Sequence, residues 1–186
     1  MPLAATLADG RRCLVRVAAW DELALVHAVM LRAFAEYRGD AVPSSALSES
    51  LATLQALVAN SSWTAIVGFV AGVAQGCARF RQDGDRLQFA RVSVVPEARR
   101  RGLARCLLAW LDAYALRQGM VTLWCRVRLS MPGNVRLYET EGYTAGEPEV
   151  VDNPNGFPVE TVVMTRAVRS TGSPPRGGTA RPVPGA

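Results

Sequence analysis

The densest chemistry in this 186-residue sequence lies in residues 89–110, FARVSVVPEARRRGLARCLLAW. Arg99, Arg100, Arg101 and Arg105 surround Gly102 at the entrance to an amphipathic run. In that run Leu103, Leu107, Trp110, Leu111 and Tyr114 recur at helical spacing. The first turn of a helix leaves its N–H groups unbonded, and the helix dipole favours negative charge there. A basic loop entering such a turn is built to hold an anion, phosphate above all. Gly102 lets the backbone approach a ligand closely, and the small Ala104 does not block it. The same residues also suit an arginine-rich surface turn capping an ordinary helix. Elsewhere, Glu160 stands in an otherwise apolar stretch and is a candidate for amine recognition or general-base work, although a solvated edge position is the commoner case. His27, the only histidine, lies close to an apolar helical face and reads as a partly buried packing residue rather than a base. Cys13, Cys77, Cys106 and Cys125 lack any C-x-x-C spacing and read as small buried residues, not as a metal site or disulfides. All 21 basic residues are arginine, which excludes lysine-based catalysis.

Positioning these groups takes an alternation of strands and helices. Residues 12–18 alternate as a strand, and a helix starting near Asp21 carries Leu23, Val26, Met30, Leu31 and Phe34 on one face. Gly39 and Pro43 break it, and Ser48 is placed to cap a second helix that turns Leu51, Leu54 and Val58 inward. Residues 64–67 and 73–81 read as strands joined around residues 68–72. The Asp83-Gly84 pair signals a hairpin into a central strand over residues 87–95. Pro96 ends that strand. Gly119 stops the long helix, and residues 121–127 return as a strand, giving a right-handed parallel β-α-β crossover. After Pro132 and Gly133 a short helix ends at Gly142, an acidic loop covers residues 147–156, and a last strand covers residues 157–166.

Two spacings carry a family resemblance. Arg99-x-x-Gly102-x-Ala104, with Val94, Pro96 and the following helix, resembles the pyrophosphate loop of the GNAT family, the acetyl-CoA-dependent N-acetyltransferases. Ala104 stands where glycine is commoner in that family, and Arg100 where many members carry glycine. Leu137, Tyr138, Gly142 and Tyr143 resemble its L-Y-x-x-x-G-F/Y segment. The resemblance covers residues 11–166 and implies an α/β (α+β) fold. Its sheet is mixed and mostly antiparallel, of about seven strands, with helices on both faces and a splayed central strand pair. It further implies that Val94, Val95, Arg99, Arg100, Arg101, Gly102, Leu103, Ala104, Arg105 and Asn134 bind the co-substrate acetyl-CoA, with a backbone N–H near Val94 polarising the thioester carbonyl. Tyr138 is implied as the acid that protonates the departing thiolate. Met131 stands where the family often has asparagine, and Asn134 is either a variant of that position or a helix cap. Glu36 and Tyr37 fall where the family forms its acceptor pocket, though solvated loop residues suit them equally. No glutamate lies on the central strand, where Arg91 and Ser93 stand instead, so the base is open, with Glu36 and Glu160 as candidates acting through water. The activity implied is transfer of acetyl to a primary amine, of a small molecule first. A protein N-terminus or lysine is the alternative, and a non-catalytic acyl-CoA-binding module the third reading.

Composition sets bounds on these readings. With 49% hydrophobic and 20% charged residues the chain has the make-up of a soluble globular protein. We expect a lead over residues 1–10, one domain over 11–167, and a disordered Pro/Gly-rich basic tail over 168–186. Removing tail residues Arg169, Arg176 and Arg181 from the net +5 leaves a modest excess, already explained by the basic loop, which argues against a nucleic-acid partner. No apolar run is long enough to span a membrane, and the N-terminus lacks the pattern of a signal peptide, so a cytoplasmic monomer or homodimer without a metal is expected.

Overall fold

A computed structural model describes residues 2–168; Met1 and the tail from Arg169 onward lie outside the described residues. The chain runs β1 (Leu3–Thr6), β2 (Arg12–Val17), α1 (Leu23–Phe34), α2 (Leu51–Ala59), β3 (Thr64–Val70), β4 (Val73–Asp83) and β5 (Arg86–Val94). It continues through α3 (Leu103–Arg117), β6 (Thr122–Arg128), α4 (Pro132–Thr140), β7 (Thr144–Asp152) and β8 (Pro158–Ala167). The strands form one eight-stranded sheet in the order β1-β2-β3-β4-β5-β6-β8-β7. Only β5 and β6 pair in parallel, as the crossover through α3 requires.

Alternation along the strands divides the core. Ile66, Ala78, Phe80, Leu87 and Phe89 face α3 and α4, whereas Ala65, Val67, Cys77 and Val95 face α1 and α2. The stripe on α3, comprising Leu103, Leu107, Leu108, Trp110, Leu111 and Ala115, is buried against the sheet. Each fully buried leucine is worth about 1.5–3 kcal/mol relative to exposure, so this stripe rather than helix propensity fixes the helix in place. Close approach is possible because Gly76 and Gly68 lie beneath it: a Cβ on Gly76 would meet Leu103 Cδ2 at 3.0 Å and the Ser93 carbonyl oxygen at 3.2 Å.

Several expectations are corrected. The N-terminal lead contains β1, hydrogen-bonded to β2 in register Leu3↔Val15. The α2 cap is Ser50, which accepts from the Thr53 N–H at 3.1 Å, while Ser48 bonds Ser45 and Asn155. The β3–β4 turn is Ala71-Gly72, both at positive φ, and Gly68 belongs to β3. Pro132 does not precede α4 but starts it, at a position where its missing N–H costs nothing. Most of the acidic loop expected over residues 147–156 is strand β7, and β1 and β7 together bring the sheet to eight strands. β7 is an edge strand with both faces mostly exposed and Pro148 at a register shift, so its sequence lacks the apolar alternation that marks a strand.

Candidate active site

The site begins with a gap in the sheet. β5 and β6 pair only from Arg86↔Thr122 to Gln88↔Trp124, and beyond that they part. On its other side β5 carries a bulge against β4. Arg79 pairs with Ala90 and Cys77 with Ser93, so Ala78 faces two residues, Arg91 and Val92. Arg91 absorbs the extra residue at φ 55, left-handed backbone that costs a side-chain-bearing residue about 1–2 kcal/mol. The bulge reverses the alternation. Leu87 and Phe89 face α3, whereas Val95 packs on the α1 side and Arg91 reaches Ser45 and Glu49, which precede α2. The Val95 N–H donates to the Gln75 carbonyl at 3.0 Å. Successive N–H groups of a strand alternate in direction, so that of Val94 faces the gap.

The basic loop follows directly. Arg99 is a clamp: Nε donates to the Val94 carbonyl at 3.0 Å, Nη2 to the Ala33 carbonyl at 2.8 Å, and Nη1 pairs with Glu36 at 2.6 Å. Its side chain ties β5 to the end of α1, and only its backbone is left to face an anion. Arg101 pairs with Asp9 at 3.3 Å, and Arg105 with Glu141 at 2.7 Å. Arg100 has no carboxylate partner among the described residues and adopts φ 58, the conformation that glycine takes without strain. Gly102 caps α3 at φ 97 with no atom within 4 Å of the position a Cβ would take, so its approach is open.

One groove of about 600 Å³ joins loop and gap. Of the residues singled out in the sequence, Val94, Arg99, Arg100, Gly102, Leu103, Ala104, Arg105, Asn134, Tyr138 and Tyr37 line it. Asn134 lies inside α4, with Nδ2 3.4 Å from Met131 Sδ, and is not the cap; Met131 is. Tyr138 is buried beside Phe89 and Tyr143, ring centroids 5.8 and 5.6 Å away. Burial raises its hydroxyl well above the ordinary tyrosine range, and the neighbouring Cys125 side chain adds to the shift. The phenol therefore stays protonated at neutral pH, as an acid must.

Four expected site residues do not line this groove. Val95 is core, and Arg101 belongs to the outer surface beside Asp9. Glu36 is committed to Arg99. Glu160 is exposed, and alternation puts it on the opposite face of β8 from Thr161, which shares a face with Arg128. His27 Nε2 lies 2.8 Å from the Glu49 carbonyl oxygen, a packing role.

What the sequence reading missed is a charged cluster on the α1–α2 side of the gap. Glu49 bridges Arg79 Nη1 at 2.7 Å and Arg91 Nη2 at 3.2 Å, and Arg91 also reaches Ser45 Oγ at 3.0 Å. Arg128, on the far strand, donates to the Val42 and Pro43 carbonyls at 2.9 and 3.2 Å. A signal was present: apolar residues fall at 87 and 89 and then at 92 and 94, a slip of one that marks a bulge.

The geometry fits a long ligand with a diphosphate at one end. The loop offers open backbone beside Gly102, the gap offers unpaired strand edges, and Tyr138 stands by the gap. Residues 55–145 match the family model for the acetyltransferase (GNAT) domain. A [ribosomal protein bS18]-alanine N-acetyltransferase of Salmonella typhimurium is 39% identical over 59 residues, 32% of this chain and 40% of that relative, so the aligned stretch spans less than half of the relative's length. Among solved structures, the ribosomal-protein-S18-alanine N-acetyltransferase of Escherichia coli superposes with TM-score 0.65 at 20% identity, over 86% of this chain and 96% of that one. An acetyltransferase of Salmonella typhimurium solved with its cofactor acetyl-CoA superposes with TM-score 0.61 at 20% identity, over 89% of this chain and 99% of that one.

Proposed function

From the match of residues 55–145 to the acetyltransferase (GNAT) domain model, we propose that this chain transfers the acetyl group of acetyl-CoA to the N-terminal amine of a peptide or protein. The observation that carries the transfer itself is the continuity of one groove from the Gly102 loop to Tyr138 along the end of β5 that has parted from β6. Acetyl-CoA supplies an activated thioester. The loop backbone around Gly102 holds its pyrophosphate, and the N–H of Val94 stabilises charge developing on the thioester oxygen. A neutral amine forms the new N–C bond as the C–S bond breaks. The amine proton leaves to solvent through water, and Tyr138 gives its proton to the departing thiolate. The choice of a peptide amine draws support from the 39% identity to an enzyme named for alanine N-acetylation. A second reading, a small-molecule amine, draws support from the bonds by which Arg128 holds Val42 and Pro43 against β6, narrowing the acceptor side.

The test is thermal unfolding with and without acetyl-CoA, on the wild type and on Gly102→Glu. Ligand at about 100 times its dissociation constant stabilises by about 2.7 kcal/mol, which for a domain of this size raises Tm by roughly 5–10 °C. The variant places a carboxylate and a strained side chain where the anion must sit, so its shift should vanish. No shift in the wild type would remove the acetyltransferase reading. With the shift established, thiol release on Ala-started peptides and on simple amines separates the two acceptors.

A further inference from the structure

We propose, resting on the acetyltransferase reading above, that the acceptor carries a carboxylate close to its reactive amine and that Arg91 and Arg128 recognise it. The argument begins with charge. Arg79 and Arg91 share one carboxylate, Glu49, whose two oxygens they divide, so the trio holds one positive charge in excess. Arg79 is further occupied by Trp63, its guanidinium carbon 5.1 Å from the ring centroid. Arg128 adds a second charge, hydrogen-bonded to two neutral carbonyls, with the nearby Asp40 carboxylate offsetting only part of the cost of its burial. Burial and the nearby charges of Arg79 and Arg128 make the Arg91 cation less favourable than in water, and Glu49 offsets this only in part. The Nε atoms of both Arg79 and Arg91 are buried with no protein partner. Desolvated cations in excess are costly to maintain, and an anion that completes the set removes the cost.

Position points the same way. Arg91 and Arg128 stand on the two strands that part to form the gap, and both reach the segment before α2. The groove wall formed by Leu137 and Tyr138 belongs to α4, on the opposite face. An amine that meets the thioester in the gap from the face away from α4 arrives on the side that carries these two guanidiniums. The bulge that turns Arg91 to this face is held at φ 55, an unfavourable conformation for any residue with a side chain. An acceptor bearing further cations near its amine, such as a polyamine, is disfavoured by the same charges.

The experiment compares amines differing only in the carboxylate, with rates of thiol release referred to the neutral amine. Alanine is set against alaninamide, and Ala-Asp-Ala-amide against Ala-Asn-Ala-amide. At least a tenfold higher kcat/KM is expected for the acid of one pair; the first pair identifies a free amino acid and the second an acidic peptide N-terminus. In Arg128→Met the ratio of acid to amide rates should collapse toward one, and Arg128→Lys should restore part of it. A purely structural Arg128 would slow acid and amide alike, which overturns the assignment. Binding is read independently of turnover on the wild type with coenzyme A. The acetylated product of the preferred acid, N-acetylalanine or the acetylated acidic peptide, should raise Tm, and its amide counterpart should not. Equal behaviour of acids and amides in both assays overturns the proposal while leaving the acetyltransferase reading intact. Absence of any acetyl-CoA shift removes both.

Discussion

At the scale of single residues, the side chains that look most available are the most committed. Arg99 heads the phosphate-loop spacing, yet its guanidinium is consumed by Val94, Ala33 and Glu36. Its contribution to binding is therefore through the shape of the loop. Tyr138 is the reverse case: it looks like a core aromatic and is buried like one, but it lines the groove. Removing only its oxygen tests the acid role. Tyr138→Phe should lower kcat for thiol release by about 10²-fold or more. Its acetyl-CoA-induced Tm shift should persist, because the ring and its contacts with Phe89 and Tyr143 remain. An unchanged kcat would remove the acid role. Glu36 shows what chain position leaves out: its carboxylate pairs with Arg99 of the loop clamp.

At the scale of elements, the site depends on how near α3 comes to the sheet. Gly76 permits the approach, since even a methyl group there would stand 3.0 Å from Leu103 and 3.2 Å from the Ser93 carbonyl oxygen. Overpacking of this kind costs about 1–3 kcal/mol. Gly76→Ala should lower Tm and also weaken acetyl-CoA binding, because Leu103 is the first residue of the helix whose N-terminus we propose faces the pyrophosphate. A titration of Tm against acetyl-CoA measures both, and an affinity equal to wild type would show that the loop does not move with the helix. The bulge in β5 works on the same scale. It sends Arg91 and Val95 to one face and keeps Phe89 on the other, so one extra residue decides what borders the gap.

At the scale of the molecule, helices on both faces of one sheet leave several acids fully enclosed. Burial pushes the Cys77 thiol up to about 12 from 9.0, raises Cys125 further, and holds Tyr138 well above its usual value. In the unfolded chain these thiols lose their protons near their ordinary value, while the folded chain retains them. Stability is therefore fully present below about pH 9 and falls as pH rises toward 12, by about 1.4 kcal/mol per pH unit for each thiol. Urea unfolding at pH 8 and pH 10.5 should show a lower midpoint at the higher pH. Cys77→Ala should flatten the dependence, and an equal slope in the variant would mean that this thiol ionises freely in the folded state.

Most of the order of elements and the basic loop entering α3 were legible because they rest on local physics. A glycine at a helix start, a proline after a strand, a Gly-bearing hairpin and a 3.6-residue apolar stripe act within a few residues of themselves. β7 was not legible, since an exposed edge strand needs no apolar face, and nothing local marks Thr144–Asp152 as extended. The slip in alternation around Arg91 was written in the sequence, but which face it would re-aim, and toward what, was not. Glu49 lies 30 residues before Arg79 and 42 before Arg91, and it meets them only because two strands and the segment before α2 converge. Pairing over such separations is decided by packing, because a carboxylate has no local preference that names its partner. The sequence alone determined that a basic, glycine-bearing loop enters a helix start. The tertiary structure decided what borders the gap beside it, because only folding brings distant charges close enough to need one another.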